Sequence, residues 1–124
     1  MILLDTSVWI DHLRQNDAQV ASVLESGRVL THPFVIGELA CGQLKSRSEI
    51  FALLAALPQA QVAQEQEVLF FIERHGLMGR GIGYIDSHLL SATALTESAR
   101  LWTRDKRLDS LACELEIAYI KPAH

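Results

Sequence analysis

Acidic residues stand at the end of, or inside, apolar segments at four places, and this pattern constrains the fold more than any other feature. The four residues are Asp5, Glu38, Asp86 and Asp105. Asp5 ends the run Ile2-Leu3-Leu4, for example, and Glu38 interrupts a run that starts at Phe34. Charged side chains are almost never fully buried unless they are paired or bind a metal ion. The pattern therefore predicts one shared acidic site that forms only when the chain folds.

Short apolar segments alternate with helical patterns along the chain. Strands are predicted at Ile2–Asp5, Val29–Thr31, Leu101–Thr103 and Ala118–Ile120, with a weak strand near Gln61–Ala63. Helices are predicted around Trp9 and Leu13, Val20–Leu24, Pro33 to about Gly42, Ile50–Leu57, Val68–Ile72, Asp86 and Leu108–Leu115. Alternation of this kind is typical of an α/β domain whose parallel sheet is covered on both faces.

The predicted elements place the acids at one end of the sheet. Asp5 and Asp105 lie at or just past the carboxyl ends of two strands, where sites form in open α/β sheets. Helical spacing puts Asp86 on the inward face of its helix, with Leu89 and Leu90. Glu38 lies at the edge of the apolar side of its own helix. We therefore expect the four carboxylates to meet.

A cluster of four carboxylates is electrostatically costly. At separations of about 6 Å, each pair repels by roughly 0.7 kcal/mol at a dielectric constant of 80 and roughly 2.8 kcal/mol at 20. Six pairs cost on the order of 4–17 kcal/mol, which is comparable to the whole stability of a domain. Such a cluster must bind cations or take up protons. Ligation by oxygen alone suits Mg²⁺ or Mn²⁺ rather than zinc.

Several of these residues have a simpler interpretation. Asp5 and Asp105 could each be the N-cap of the helix that follows, whereas Glu38 and Asp86 lie inside apolar patterns. Basic residues flank Asp86 and Asp105 and are candidates for contacts with phosphate, with solvated surface charge as the alternative: Arg80, Arg104, Lys106 and Arg107. The histidines lack the spacing of paired metal ligands, and we interpret them as structural or surface residues: His12, His32, His75 and His88.

Composition limits the class of protein. The chain has 124 residues, which predicts a single domain covering residues 1–124. Its net charge of −4 argues against a protein that coats nucleic acid by bulk electrostatics. No apolar run has the length of a membrane span, and the N-terminus lacks the pattern of a signal peptide. Cys41 and Cys113 fit no zinc pattern, so we expect reduced thiols and a cytoplasmic protein.

One predicted helix contains five consecutive apolar residues. Residues Val68-Leu69-Phe70-Phe71-Ile72 leave no polar face. A helix of this kind is buried on all sides, which one small domain can hardly achieve alone. The run therefore predicts contact with a second subunit or a partner as well as with the core of its own chain.

Four sequence segments together resemble the PIN-domain ribonucleases, and specifically the VapC-type toxins of type II toxin–antitoxin systems. The segments are ILLDTSVWIDHL at the start, HPFVIGELACG, GRGIGYIDSHLL and LWTRDKRL near the end. They span almost the whole chain in the order and spacing of the family.

The resemblance implies a fold and an activity. The fold is a compact three-layer α/β/α sandwich with a five-stranded parallel sheet. The implied activity is RNA cleavage with Mg²⁺ or Mn²⁺ held by Asp5, Glu38, Asp86 and Asp105, and Thr6, Ser7 and Thr103 would orient ligands or water. The resemblance also implies a homodimer and inhibition by a VapB-type antitoxin, with a hetero-oligomer as the inhibited form. The alternative is a catalytically silent PIN-like module that binds RNA or protein.

Overall fold

Three parallel strands form the sheet of the computed structural model, which describes residues 1–122. They are β1 (Ile2–Leu4), β2 (Val29–Leu30) and β3 (Arg100–Trp102), in the order β2-β1-β3. Ile2 pairs with Val29 on one side and with Arg100 on the other. β1 is the central strand, and all three of its residues are buried. The end of β1, where Asp5 follows, is therefore fixed at the middle of the sheet.

Seven helices connect and follow the strands within residues 1–122. They are α1 (Thr6–Gln15), α2 (Ala18–Glu25), α3 (Pro33–Ala40), α4 (Arg47–Ala56), α5 (Glu65–His75), α6 (Tyr84–Leu95) and α7 (Lys106–Glu114). Pro33 occupies the start of α3 as predicted, where its missing N–H leaves no bond unmade. None of the helices in this part of the chain is long and apolar enough to cross a bilayer.

The outer strands are shorter than predicted. Beyond each edge of the sheet lies one parallel bridge, which joins Thr31 to Gln59 and Leu101 to Ala118. The expected strand at residues 61–63 is therefore wrong, because pairing occurs just before that segment. At this edge the Thr31 N–H donates to the carbonyl of Pro58, and the Ala60 N–H donates to the carbonyl of Thr31. Pro58 lacks an N–H and so cannot donate a further bond to the sheet. Within residues 1–122 the predicted five-stranded sheet is a three-stranded sheet with a bridge on each side.

Two helices are less buried than their sequence patterns predict. Only Leu54 is buried in α4, and Leu53 is 41% exposed. In α5, Val68 is buried, whereas Phe70 is 66% exposed. Both helices use a narrow line of residues against the core and leave apolar side chains at the surface. The apolar face of α5 is consequently available to another molecule.

Candidate active site

Asp5 lies directly after the central strand and is itself 8% exposed. Its Oδ1 accepts the backbone N–H of Ser7 at 3.3 Å, so Asp5 is the N-cap of α1. Its Oδ2 accepts the hydroxyl of Ser7 at 3.2 Å and the hydroxyl of Thr103. The simpler interpretation of Asp5 as a cap is thus correct. The Ser7 and Thr103 hydroxyls additionally fix the carboxylate at the carboxyl end of the sheet.

Asp105 is tied to the same group through Thr103. The Asp105 backbone N–H donates to Thr103 Oγ1 at 3.0 Å. The Asp105 carboxylate accepts the N–H groups of Arg107 at 2.9 Å and Leu108 at 3.0 Å, and so caps α7. Only one of its oxygens accepts these bonds. The cap therefore leaves the second oxygen of Asp105 for another ligand.

Glu38 projects from α3 and is exposed. The Thr6 hydroxyl donates to Glu38 Oε1 at 2.7 Å. Thr6 belongs to the first turn of α1, next to Asp5, so this bond joins α3 to the end of β1. The family resemblance implied that Thr6, Ser7 and Thr103 orient ligands or water. In the structure the Thr6 and Ser7 hydroxyls donate to different acids, Glu38 and Asp5.

Asp86 lies in the first turn of α6 and is half-buried. Its carboxylate accepts the N–H of Gly83 at 3.4 Å. Burial, and then the negative charges of Asp5, Asp105 and Glu38, raise the pKa of Asp86 above its ordinary value, against the lowering effect of the Gly83 bond. These electrostatic contributions show that the other three acids act on Asp86.

The pairing of Gly83 with Asp86 was not predicted from the sequence. The signal that would have revealed it is an acidic residue three positions after the N-cap, the residue that directly precedes a helix. This is the spacing of a capping box. The bond orients Asp86 from the backbone of the glycine-rich loop.

No cation among the described residues forms an ion pair with any of the four acids. Within residues 1–122, the ion pairs are Arg80–Glu114, Arg104–Asp11 and Arg104–Asp17. The donors of the cluster are all oxygen and no ion pair balances their negative charge, which is the chemistry that a hard divalent cation prefers. As they are placed, no three or more His, Cys, Asp or Glu side chains within residues 1–122 form a group that could hold a metal ion. Mg²⁺ commonly retains several waters and binds to one or two carboxylates directly, which such an open arrangement allows.

The basic residues near the site differ in whether they already form ion pairs. Arg104 pairs with Asp11 at 3.1 Å and also with Asp17, and its guanidinium lies 5.9 Å from the centre of the Trp102 ring. Arg80 pairs with Glu114. Lys106 and Arg107 are exposed and form no ion pair with any residue from 1 to 122. Contact of any of them with phosphate stays a prediction.

Two histidines are internal parts of the fold, as interpreted from the sequence. His32 is 0% exposed, and its Nδ1 accepts the N–H of Phe34 at 3.0 Å, which caps α3. His88 is 3% exposed and lies against Phe34 and Tyr84, with ring centres 4.6 Å apart in both cases. Both residues hold α3 to α6 and therefore position Glu38 relative to Asp86.

Comparison with known proteins identifies relatives of the chain. The family model for the PIN domain matches residues 2–113. The chain is 48% identical over 118 residues to Ribonuclease VapC32 from two strains of Mycobacterium tuberculosis, covering 95% of each chain.

Two solved structures resemble the fold. PAE2754 from Pyrobaculum aerophilum has a TM-score of 0.61 at 15% identity, covering 89% of this chain and 78% of the other. FitAcB from Neisseria gonorrhoeae has a TM-score of 0.58 at 20% identity, covering 95% of both chains. At these identities the two structures support the α/β fold alone.

Proposed function

Because this chain belongs to the PIN-domain family, and to the VapC-type toxins within it, we propose that it is a toxic endoribonuclease that requires Mg²⁺ or Mn²⁺. It cleaves phosphodiester bonds of RNA and is neutralised by a VapB-type antitoxin. The observation that carries the proposal is that the charges of Asp5, Glu38 and Asp105 act on the half-buried Asp86, while none of the four acids forms an ion pair with a cation of residues 1–122. We also propose that the protein acts in the cytoplasm, as one PIN domain.

Each residue of the cluster has a role in this proposal. Asp5, Glu38, Asp86 and Asp105 would hold the metal ion, directly or through retained waters. A bound divalent ion supplies the positive charge that activates water and stabilises the leaving oxygen of a phosphodiester. Hydroxyl groups on the protein side orient two of the acids, Thr6 on Glu38 and both Ser7 and Thr103 on Asp5. These bonds leave the acids little freedom to turn away from the cleft.

The decisive experiment is RNA cleavage by highly purified protein freed of antitoxin. Cleavage should require Mg²⁺ or Mn²⁺ and should stop in EDTA. Glu38→Gln should abolish it, whereas Glu25→Gln, at the exposed end of α2, should not. Cleavage that continues in EDTA would contradict the metal-dependent mechanism. A wild-type protein that binds RNA without cutting it would establish the alternative, a silent binding module.

The surface of α5 supports the proposal of a homodimer. Leu69 is 57% exposed and Phe70 is 66% exposed. Phe70 and Phe71 of α5 line a hollow of about 390 Å³ together with Leu95 of α6. Large apolar side chains exposed side by side on one helix are candidates for an interaction site. A second copy that packs on this surface would bury the side chains that the chain itself leaves exposed.

A groove beside Glu38 supports the proposed site for the antitoxin. It has a volume of about 380 Å³ and lies between α1, α3 and α4. Its apolar lining residues are Ile10, Leu13, Leu39, Leu44 and Ile50. Trp9 itself is fully buried in the core and does not line the groove. Its neighbours on α1, Ile10 and Leu13, form that side of the groove.

We propose that an amphipathic segment of the antitoxin fills this groove and that a basic side chain of the same segment pairs with the acidic cluster. Competition with metal follows, because both ligands are attracted by the same carboxylates. Millimolar Mg²⁺ should weaken antitoxin binding in a titration, and so should the double substitution of Glu38 and Asp86 by their amides. If neither change alters affinity, the antitoxin acts elsewhere.

A further inference from the structure

A second hollow lies on the other side of the acidic cluster, past the end of β3. We call it the flank hollow; it has a volume of about 540 Å³. Its principal lining residues are Trp102, Thr103, Lys106, Asp109, Tyr119 and Lys121. We propose that the flank hollow binds one nucleotide of single-stranded RNA beside the cleaved bond, with the base on Tyr119 and its phosphates toward the lysines. This inference rests on the proposed ribonuclease function.

Thr103 joins the flank hollow to the acidic cluster. Its side chain lines the hollow, and its hydroxyl donates to Asp5. The N–H of Asp105 donates to the same hydroxyl at 3.0 Å. One residue therefore separates the flank hollow from two of the four acids. An RNA strand whose phosphodiester lies at the acids would reach the flank hollow with a neighbouring nucleotide.

The aromatic residues of the hollow form a supported surface. The Trp102 and Tyr119 rings lie 5.0 Å apart, tilted by 43°. Trp102 is only 2% exposed, whereas Tyr119 is half-buried, so the tyrosine ring covers the tryptophan and presents the accessible aromatic surface. Aromatic rings of this kind stack on bases without strong sequence preference, because every base has a π face.

The charge of the hollow favours an anion. Lys106 and Lys121 make no ion pair within residues 1–122. Arg104 also lines the hollow, but Asp11 and Asp17 already balance it. Asp109 is the single acid of the lining and offsets part of the lysine charge. Two unpaired lysines beside an aromatic ring stand out on a chain with a net charge of −4.

The combination of features distinguishes nucleotide from other anions. A site for an acidic peptide needs the lysines but not an accessible ring, and an apolar partner needs the ring but not the lysines. Single-stranded RNA uses both, since its phosphates pair with cations and its bases stack on aromatic side chains.

The test measures binding of a fluorescein-labelled oligouridylate by anisotropy, in the full-length protein with Ca²⁺ in place of Mg²⁺. Tyr119→Leu should weaken binding by about 5- to 150-fold, the range produced by loss of one base–aromatic stack. Tyr119→Phe should retain the affinity within about twofold, since the stack is kept. Near-ultraviolet circular dichroism of the Leu variant, compared with wild type, shows whether it is folded.

Salt dependence tests the lysines separately. Lys106→Gln and Lys121→Gln should each reduce the slope of log affinity against log salt by about 0.7, the value for one phosphate contact with a single strand. Arg28 is exposed just before β2, at the end of the sheet opposite the acids, and supplies the control. Arg28→Gln should leave the salt slope unchanged, and Tyr119→Leu should lower the affinity without changing the salt slope.

The outcomes separate the flank hollow from the proposed function. If wild-type protein cuts RNA with Mg²⁺ while the Tyr119 and Lys121 variants bind the oligouridylate as wild type does, the flank hollow is not a nucleotide site and the ribonuclease function stands. If binding depends on these residues but no RNA is cut, the nucleotide site stands and the enzyme function fails. Competition by polyaspartate equal to that by RNA of the same charge would overturn the assignment in favour of a general anion site.

Discussion

Thr103 is the residue through which the structure makes its sharpest prediction. Its hydroxyl donates to Asp5 and accepts the backbone N–H of Asp105, and the residue is 7% exposed. Thr103→Val preserves the shape of the side chain and removes both bonds. Each of the two acids then loses one of the contacts that fix its position.

The expected loss of stability follows from the bonds removed. A hydrogen bond to a charged group contributes about 1.5–3 kcal/mol. The Asp105 N–H is only partly buried, so water can replace its acceptor at little further cost. We therefore expect Thr103→Val to lower the free energy of unfolding by about 2–3 kcal/mol. For a domain of this size that is roughly 6–15 °C in Tm.

Thr93 provides the matched control for the stability measurement. Thr93 is 1% exposed, and its hydroxyl donates at 2.8 Å to the carbonyl of Leu89, a backbone group of its own helix. Thr93→Val removes a neutral bond far from the acids and should cost only about 0–1 kcal/mol. Urea unfolding of the metal-free proteins compares the two variants directly.

RNA cleavage provides the second readout. Residues that orient the ligands of a metal site typically change activity by about 10- to 100-fold when they are replaced. Thr103→Val should therefore cut RNA about 10- to 100-fold more slowly than Thr93→Val. Equal stability and equal activity of the two variants would refute the claim that Thr103 positions Asp5 and Asp105.

Three further predictions concern charge and assembly. Burial and neighbouring negative charge raise the pKa of Asp86, so its ionised form destabilises the fold at neutral pH. Asp86→Asn should therefore raise the Tm of the metal-free protein at neutral pH. The gain in Tm should shrink as the pH falls toward the ordinary carboxyl pKa, because the wild-type carboxylate then becomes protonated. A fall in Tm at neutral pH would instead make Asp86 a structural hydrogen-bond acceptor. Burial lowers the pKa of His32 from 6.5 to about 4. As the pH falls from 6.5 to about 4, the unfolded chain gains a proton that the folded chain does not, so the free energy of unfolding should fall by up to about 3 kcal/mol. His32→Asn keeps an acceptor for the cap and should reduce this pH dependence in urea unfolding, and an unchanged dependence would contradict the prediction. Phe70→Glu should convert a dimer to a monomer in light scattering, whereas Leu53→Glu on α4 should not; a wild-type monomer at micromolar concentration would rule out the dimer.

The central part of the fold could be predicted from the sequence because local patterns there are strong. The apolar run before Asp5 can be satisfied only as a buried strand, and the structure confirms it. Pro33 marks the start of its helix because the missing N–H is tolerated there. The edge strands were overestimated because their pairing depends on distant partners such as Thr31 and Gln59, which local pattern does not reveal.

Burial of individual side chains was also decided by packing. A run of five apolar residues in α5 predicts a helix but not which of its faces meets the core, and only Val68 is buried. Trp9 lies in the core, whereas its neighbour Ile10 lines the groove beside Glu38. A helical period fixes relative directions around the axis, and the orientation of the helix on the sheet then decides which direction faces inward.

The candidate site divides in the same way. The sequence by itself singled out the four acids as candidates, because a carboxylate inside or at the end of an apolar segment is costly and its type and position are explicit in the chain. Only the tertiary structure decided how two of them are held: Thr6 donates to Glu38 and Thr103 donates to Asp5. These bonds join residues 32 and 98 positions apart in the sequence, and their geometry exists only once the strands and helices have packed.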